Sequence, residues 1–546
     1  MMHKIKFVTN YILLNQFGGA KKKWITLEHS GPMFPLPYEK HNVPVIYQGQ
    51  EIVLDETSEE IATMYAKLIE SDYVKNRTFN KNFWHDWRNV LGKDHTIQNL
   101  NDVDFKPIYN YLLNKKIEKK INPINKEEKT AVEEIYKWAY IDGRKEAVGN
   151  FRIEPPSIYL GRGCNPKSGM VKRRIYPEDI TINISKNVSI PLLPKYLQNH
   201  HWGHIIHDQT VEWLCSWRDD ITGKTKYVWL GQQSEFKATS DMEKFDLARK
   251  LGKKIKKVRT ENNNNMHSSD PKIRQIATAL YFIDNFALRV GNEKKEDEAD
   301  TVGVTSLRVE HIKLLDNDQV KLDFLGKDSV PYNRTLQVEP VVYQNLVEYI
   351  GNKNPDENLF NLINSADVNK YLQSFMKNLT AKVFRTYNAS NVFQKELKKI
   401  NAKFDSYDKE DKINLLLDEF NKANAKVAML CNHQKNITKS TNKQIENLDN
   451  MIKNAKNKLR AAKKSKKKNP EKIAKMEDTL KKLKAKKILK IELKNISLGT
   501  SLLNYIDPRS VIAFLKRHNI PAEKIFSKTV SNKFQWAMDT DPNYVF

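Results

Sequence analysis

The sequence has 546 residues, of which 40% are hydrophobic and 29% are charged. This length is several times that of a typical domain, and the composition excludes collagen-like and wholly disordered chains. The 92 Lys and Arg outnumber the 66 Asp and Glu, giving a net charge of +26. Such an excess predicts a polyanionic partner, with nucleic acid favoured over an anionic membrane surface.

Cysteine content and hydropathy narrow the class of protein further. The cysteines are Cys164, Cys215 and Cys431, and this odd, scattered set predicts a reducing compartment rather than a disulfide framework. No run approaches 18 apolar residues, so we expect neither a membrane span nor a signal peptide.

The first part of the chain has the sequence pattern of short strands separated by turns. Between residues 24 and 233, β-branched and aromatic runs alternate with Pro and Gly, which predicts a strand-containing front lobe after a short extension over residues 1–23. Residues 234–436 carry longer amphipathic patterns with one strand-rich patch. We predict a mainly helical second lobe there.

Two features of the front lobe are incomplete ligand motifs. Residues 161–168 look like a phosphate loop, but Pro166 stands where a glycine N–H is needed. The second feature is a histidine cluster, His200, His201, His204 and His207. No thiol or carboxylate completes a familiar zinc pattern around it. We therefore predict neither an ATP site nor a metal site.

Basic residues in the second lobe fall off the apolar stripes of predicted helices. Arg289 lies opposite the stripe of a helix that is predicted to end at Gly291, and Arg385 shares a predicted helix with Leu372. His433 has a similar position on a third helix. Any polar residue on an amphipathic helix lies off its stripe, so spacing alone is weak evidence that the three share a ligand.

A hairpin is predicted between these helices. Val320, Leu322 and Phe324 alternate with polar residues and lead into the turn residues 326–329, which would place Lys327 at the tip. Pro331 follows the turn and favours an edge strand.

The charge excess is concentrated near the C-terminus. Residues 453–490 contain seventeen Lys and Arg against three acidic residues, with apolar residues stepping by three and four on either side of a break at 466–470. We predict an antiparallel coiled coil over residues 437–492. Residues 493–546 are predicted to be globular, and Asp507 and Pro508 have the pattern of an N-cap and first residue of a helix.

Five segments in order closely resemble motifs of the eukaryotic type IB DNA topoisomerase family. They are Ala-Leu-Arg289-Val-Gly-Asn-Glu-Lys, Phe-Leu-Gly-Lys327-Asp-Ser, Ala-Lys-Val-Phe-Arg385-Thr-Tyr-Asn-Ala-Ser, Leu-Cys-Asn-His433-Gln and Leu-Gly-Thr-Ser-Leu-Leu-Asn-Tyr505-Ile-Asp-Pro-Arg. The resemblance spans residues 24–546, and the basic coiled coil corresponds to the family's linker.

The resemblance implies a catalytic set. Tyr505 would be the nucleophile that forms a 3′-phosphotyrosyl bond and releases a 5′-hydroxyl. Arg289, Arg385 and His433 would stabilise charge on the transition state, and Lys327 would be the general acid.

It also implies the fold, partners and cofactors. We expect an α+β, two-lobed clamp on double-stranded DNA, with a coiled-coil linker and a small helical C-terminal domain. The protein would act as a monomer, largely independent of DNA sequence, without a membrane, ATP or an essential divalent cation, and in the nucleus or at a viral replication site. The DNA-binding residues implied are Arg162, Lys172, Arg173, Arg174, Asp328 and Asn504. Three of them, Arg162, Asp328 and Asn504, match the family's contacts to the inhibitor camptothecin.

Two alternatives remain at this point. A tyrosine recombinase uses a similar set of residues but must pair two duplexes, and the coiled coil disfavours it. A non-enzymatic DNA-packaging protein would explain the charge and would not need the five motifs.

Overall fold

The computed structural model describes residues 22–122, 126–292, 298–407, 410–435, 439–464 and 469–546. The chain divides into two compact units. As far as they are described, the first contains residues 1–240 and 294–300, and the second contains residues 241–293 and 301–546. Within the described residues, no helix combines the length and the apolar character that crossing a membrane requires.

In its described residues, the first unit is built from short strands and four helices. Its helices are α1 (Glu56–Ala66), α2 (Arg77–Leu91), α3 (Lys106–Ile121) and α4 (Lys126–Tyr136). Its strands are β1 (Leu27–His29), β2 (Val45–Tyr47), β3 (Gln50–Ile52), β4 (Val103–Asp104), β5 (Trp138–Ile141), β6 (Arg144–Ala147), β7 (Ser157–Ile158), β8 (Val171–Lys172), β9 (Thr181–Asn183), β10 (His204–Ile206), β11 (Cys215–Arg218) and β12 (Thr225–Val228). They form sheets of order β1-β5-β6, β3-β2-β4, β7-β8 and β10-β9-β11-β12. Separate cores surround Trp87 and Trp24.

In its described residues, the second unit is built from long helices around one three-stranded sheet, as the amphipathic patterns predict. The helices are α5 (Glu235–Asn265, which begins in the first unit), α6 (Pro271–Phe286), α7 (Pro340–Ile350), α8 (Ser365–Phe375), α9 (Ala381–Phe404), α10 (Lys412–Leu430), α11 (Lys439–Lys464), α12 (Pro470–Glu492), α13 (Leu498–Asn504), α14 (Pro508–Arg517) and α15 (Lys528–Lys533). The strands are β13 (Ile312–Leu315), β14 (Gln319–Gly326) and β15 (Val330–Gln337). One core packs α6 against the sheet and α9, and a second packs α9, α10 and α14 together. The mixed α and β content confirms the predicted α+β class.

The predicted hairpin is present. Val320 and Leu322 are fully buried, β14 and β15 are antiparallel, and Lys327 lies in the turn between them. Asp328 adopts φ +68°, a left-handed conformation that Asp tolerates better than most residues. β15 is an edge strand, so Pro331 interrupts no ladder on its outer side.

The predicted end of the helix before Arg289 is wrong. α6 ends at Phe286, five residues before Gly291, because Ala287 takes a left-handed conformation with φ +51°, so Arg289 lies in a non-helical segment. That segment is held by a hydrogen bond from Val304 N–H to the Arg289 carbonyl. Gly291 and Gly303 touch through their backbones, and a Cβ on Gly303 would lie 2.5 Å from Gly291 Cα. Side chains are therefore excluded at this crossing.

The other two helix predictions also fail near the basic residue. Arg385 does not share a helix with Leu372, because Asn378 at φ +65° separates α8 from α9. His433 lies beyond α10, where Asn432 at φ +53° reverses the chain. The His433 N–H donates back to the Ala428 carbonyl at 2.8 Å, which is the Schellman geometry that ends many helices.

The basic region forms the predicted antiparallel helix pair, α11 and α12. Ion pairs join Asp449 to Lys487 and Lys463 to Glu477, each at 2.5 Å. The earlier residue of α11 pairs with the later residue of α12, so the two helices are antiparallel. Leu448 is buried at this interface. The predicted break between the helices falls mainly on residues 465–468, outside the described residues.

Candidate active site

A cavity of about 150 Å³ in the second unit lies where several chain segments meet. Its walls come from residues 286–289, 302–303, the hairpin between 324 and 332, Arg385, residues 430–434 and Thr500. Four of the five sequence-predicted catalytic residues line it, namely Arg289, Lys327, Arg385 and His433. The fifth, Tyr505, packs directly against Arg385 and His433.

Arg385 is a buried cation with unused donors. It is 3% exposed, and its Nη2 donates to the Cys431 carbonyl at 3.0 Å. In the part of the chain that is described, its Nε and Nη1 have no hydrogen-bond partner. Burying a charge without an anion is costly, so this arrangement fits a site that receives an anionic ligand.

His433 supplies another unused buried nitrogen. Its Nδ1 lies 2.7 Å from Ser501 Oγ, whereas no described residue pairs with its buried Nε2. Burial lowers the pKa of His433 to about 3, and the positive charges of Arg385 and Arg289 add to this effect. The imidazole is therefore neutral at physiological pH.

Tyr505 is held between these cationic and aromatic neighbours. It is 8% exposed, its ring centroid is 4.9 Å from the Arg385 guanidinium carbon, and it is 5.1 Å from the His433 ring centroid. Arg289 interacts electrostatically with the Tyr505 side chain. Although Arg289 is exposed overall, partial desolvation lowers its pKa, as does the charge on Arg385, while Tyr505 opposes both.

A buried network fixes the backbone on both sides of Tyr505. The Ser390 hydroxyl donates to the Tyr505 carbonyl at 2.9 Å and accepts from the Asp507 N–H at 3.0 Å. Asp507 is fully buried and, as predicted, caps α14. Its carboxylate also pairs with Arg509 and accepts from the Tyr544 hydroxyl at 3.0 Å. The nucleophile candidate is therefore anchored to α9 and to the last residues of the chain.

The predicted general acid and two predicted drug contacts lie on exposed elements. Lys327 and Asp328 are exposed at the hairpin tip and line the cavity. Asn504, the residue before Tyr505, is also exposed and donates to the Thr500 carbonyl at 3.0 Å. A ligand in the cavity could reach the hairpin tip without disturbing the protein core.

The remaining predicted DNA-binding residues belong to the first unit. Arg162 is exposed in the loop over residues 161–168. The other three are ion-paired within the unit: Lys172 with Glu154, Arg173 with Asp179 at 2.8 Å, and Arg174 with Glu60 at 2.9 Å. Lys172 is also buried. These three cations brace neighbouring segments, and a phosphate contact by any of them would compete with a carboxylate.

Sequence reasoning missed Ser390 and Ser501. Neither residue lies in a pattern of its own, and each acts through a partner more than 60 residues away. Within the sequence, the signal for them was their position inside segments that also contain Arg385 and Tyr505.

Comparison with known proteins assigns the chain to a family. Residues 22–230 match the family model described as eukaryotic DNA topoisomerase I, DNA binding fragment, residues 233–466 match the catalytic core of the same enzyme, and residues 477–546 match the C-terminal topoisomerase domain. DNA topoisomerase 1 alpha of Arabidopsis thaliana is 42% identical over 97% of this chain, and the chain spans 60% of that relative's length. DNA topoisomerase 1 of Caenorhabditis elegans is 42% identical, with 96% of this chain and 68% of the relative aligned. The human DNA topoisomerase 1 is 41% identical, with 96% and 72% aligned. With these matches along nearly its whole length, the chain belongs to the eukaryotic DNA topoisomerase I family.

Proposed function

We propose that this protein relaxes supercoiled double-stranded DNA by transient cleavage of one strand, rotation and religation, without ATP. The observation that best supports this proposal is the set of buried nitrogen atoms of Arg385 and His433 that lie beside the Tyr505 side chain and have no hydrogen-bond partner among the described residues. Fixed donors of this kind match the charge that a phosphoryl group acquires in its transition state.

Tyr505 is the proposed nucleophile. Its oxygen attacks the phosphorus of a DNA phosphodiester, a tyrosyl–phosphorus bond forms, and the bond to the 5′-oxygen breaks. The hydroxyl proton of Tyr505 passes to water, and the Lys327 ammonium group gives a proton to the departing 5′-oxygen. Because the phosphotyrosyl ester retains the energy of the broken bond, the reverse reaction reseals the strand without a nucleotide.

Charge stabilisation is assigned to three side chains. Arg289 and Arg385 donate charge-assisted hydrogen bonds to the nonbridging oxygens, and the neutral His433 donates from Nε2. These groups stabilise the negative charge that develops on the nonbridging oxygens, and they do so without requiring a divalent cation.

DNA binding is proposed to rest largely on contacts to the phosphate backbone. The chain carries a net charge of +26, and α11 and α12 concentrate that charge outside the catalytic cavity. Contacts from such surfaces are salt-dependent and largely independent of sequence. We propose a monomer acting on one duplex, with Arg162, Lys172, Arg173, Arg174, Asp328 and Asn504 as its candidate DNA contacts.

The finer assignments follow from the same proposal. Residues 24–233 form the DNA-binding part, 234–436 the catalytic core, 437–492 the linker and 493–546 the tyrosine domain. The nucleus, or a viral replication site, is the proposed location. Arg162, Asp328 and Asn504 are the proposed contacts for camptothecin.

Plasmid relaxation tests the function directly. Negatively and positively supercoiled plasmids are incubated with the protein and EDTA in the absence of ATP, and the topoisomers are separated on a gel. Both plasmids should become relaxed, and the Tyr505→Phe variant should bind DNA without relaxing either. DNA binding without relaxation by the unmodified protein would favour the packaging alternative, and recombinant products from paired duplexes would favour a recombinase.

A further inference from the structure

The contact between Ser501 and His433 distinguishes the two imidazole nitrogens from each other. Ser501 is fully buried on α13, and its Oγ is 2.7 Å from His433 Nδ1. Among the described residues, this imidazole nitrogen is the hydrogen-bond partner of Ser501 Oγ. On the opposite side of the ring, Nε2 is buried and without a described partner.

A neutral imidazole carries one N–H, so the two nitrogens cannot both donate. If the proton were on Nδ1, Nε2 would carry a lone pair and would repel an anionic oxygen that approached it. If Ser501 donates its hydroxyl proton to Nδ1, the proton of the ring lies on Nε2 and is available to the anion. The cationic form is disfavoured because His433 is buried near Arg289 and Arg385.

We propose that Ser501 is a positioning residue that donates to His433 Nδ1 and thereby fixes the neutral tautomer whose Nε2–H binds a nonbridging phosphate oxygen. This inference rests on the proposed function. Ser501 itself does not contact the substrate, but it determines whether His433 can donate a hydrogen bond from Nε2.

The backbone of Ser501 adds a second link. Its carbonyl accepts the N–H groups of Tyr505 at 2.9 Å and Ile506 at 3.0 Å. The Ser497 N–H in turn donates to the His433 carbonyl at 2.9 Å. One turn of helix therefore connects the imidazole to the nucleophile, and the two rings keep a fixed spacing.

A double-mutant cycle tests the proposal kinetically. Ser501→Ala should lower the single-turnover rate of DNA cleavage about tenfold, which is less than the roughly 10²- to 10³-fold expected for losing an oxyanion donor itself, while DNA affinity stays unchanged. In His433→Gln the amide nitrogen can replace Nε2 and needs no partner at Nδ1. Ser501→Ala should therefore have no further effect in the His433→Gln background.

The matched control is Ser374→Ala. This variant removes another helical serine hydroxyl of the second unit, one on α8 that donates to the Tyr371 carbonyl at 2.7 Å, and it should cleave at the unmodified rate. Ser501→Thr, which keeps the hydroxyl, should restore most of the rate. Equal rates for Ser501→Ala and Ser374→Ala, or an undiminished effect of Ser501→Ala in His433→Gln, would overturn the proposal.

Nitrogen NMR of the DNA-free protein separates this inference from the proposed function. In protein labelled with ¹⁵N-histidine, the resonances lost in His433→Gln identify His433. They should show a protonated Nε2 and an unprotonated Nδ1, and Ser501→Ala should shift or broaden them. A proton on Nδ1 in the unmodified protein would refute the inference even if plasmid relaxation succeeds.

Discussion

Replacing Arg385 by Met separates the catalytic role of this side chain from its effect on stability. Arg385→Met keeps much of the side-chain volume and removes the charge together with all of its donors. Loss of one oxyanion donor typically slows a reaction 10²- to 10³-fold. Because Nε and Nη1 are both available to a ligand, we expect single-turnover cleavage to fall by roughly 10³-fold or more.

The stability of the DNA-free protein should not fall in the same way. Burying an unpaired cation costs several kcal/mol, whereas the lost bond to the Cys431 carbonyl and the contact with the Tyr505 ring are worth about 2 kcal/mol each. The Tm of Arg385→Met should therefore equal or exceed that of the unmodified protein.

Arg259→Met is the matched control. Arg259 makes a two-point ion pair with Asp284, at 2.7 and 2.9 Å, and its removal leaves a buried carboxylate without that partner. Thermal denaturation without DNA should show a lower Tm for Arg259→Met and no loss for Arg385→Met. A Tm for Arg385→Met that falls as far as that of Arg259→Met would refute the view that Arg385 is a buried cation with no anionic partner among the described residues.

Three further predictions concern the acid, the linker and the imidazole. Lys327→Ala should cleave slowly, and DNA with a bridging 5′-sulfur should restore much of the rate because a thiolate leaves without a proton; equal rescue of Arg289→Ala would contradict the division of roles. Replacing residues 442–490 by a short loop should preserve cleavage at low salt while weakening DNA affinity and its salt dependence; loss of cleavage at low salt would make the linker part of the active site. The pKa of His433 is lowered by folding to about 3, so the unfolded state binds the proton first and this residue makes the free energy of unfolding decrease as the pH falls from about 6.5 towards 4. The decrease should be smaller in His433→Gln. If the free energy of unfolding, measured by urea titration at each pH, has the same slope against pH in both proteins, His433 is not buried as a neutral group.

Local patterns predicted elements whose packing repeats within a few residues. The alternation of Val320 and Leu322 predicted the hairpin, and Asp507 with Pro508 predicted the start of α14. Each signal is local because neighbouring residues share one face or one cap. The hairpin and the start of α14 could therefore be predicted without knowledge of the tertiary contacts.

The exact positions of the catalytic candidates could not be predicted from the apolar stripes. Ala287, Asn378 and Asn432 adopt left-handed conformations, and only tertiary contacts make those breaks favourable. They move Arg289 and His433 off their helices and place them beside the cavity. The partnership of Ser501 with His433 has the same origin, because it joins segments that are 68 residues apart.

The most direct test of the account is to trap the covalent intermediate. The protein is mixed with duplex DNA labelled at one end of one strand, denatured with detergent and digested with protease, and the DNA-linked peptide is then identified by mass spectrometry. The account predicts protein attached to the 3′-phosphate of the nick, a free 5′-hydroxyl, and modification of Tyr505. Attachment to a 5′-phosphate, or a modified residue other than Tyr505, would contradict the account.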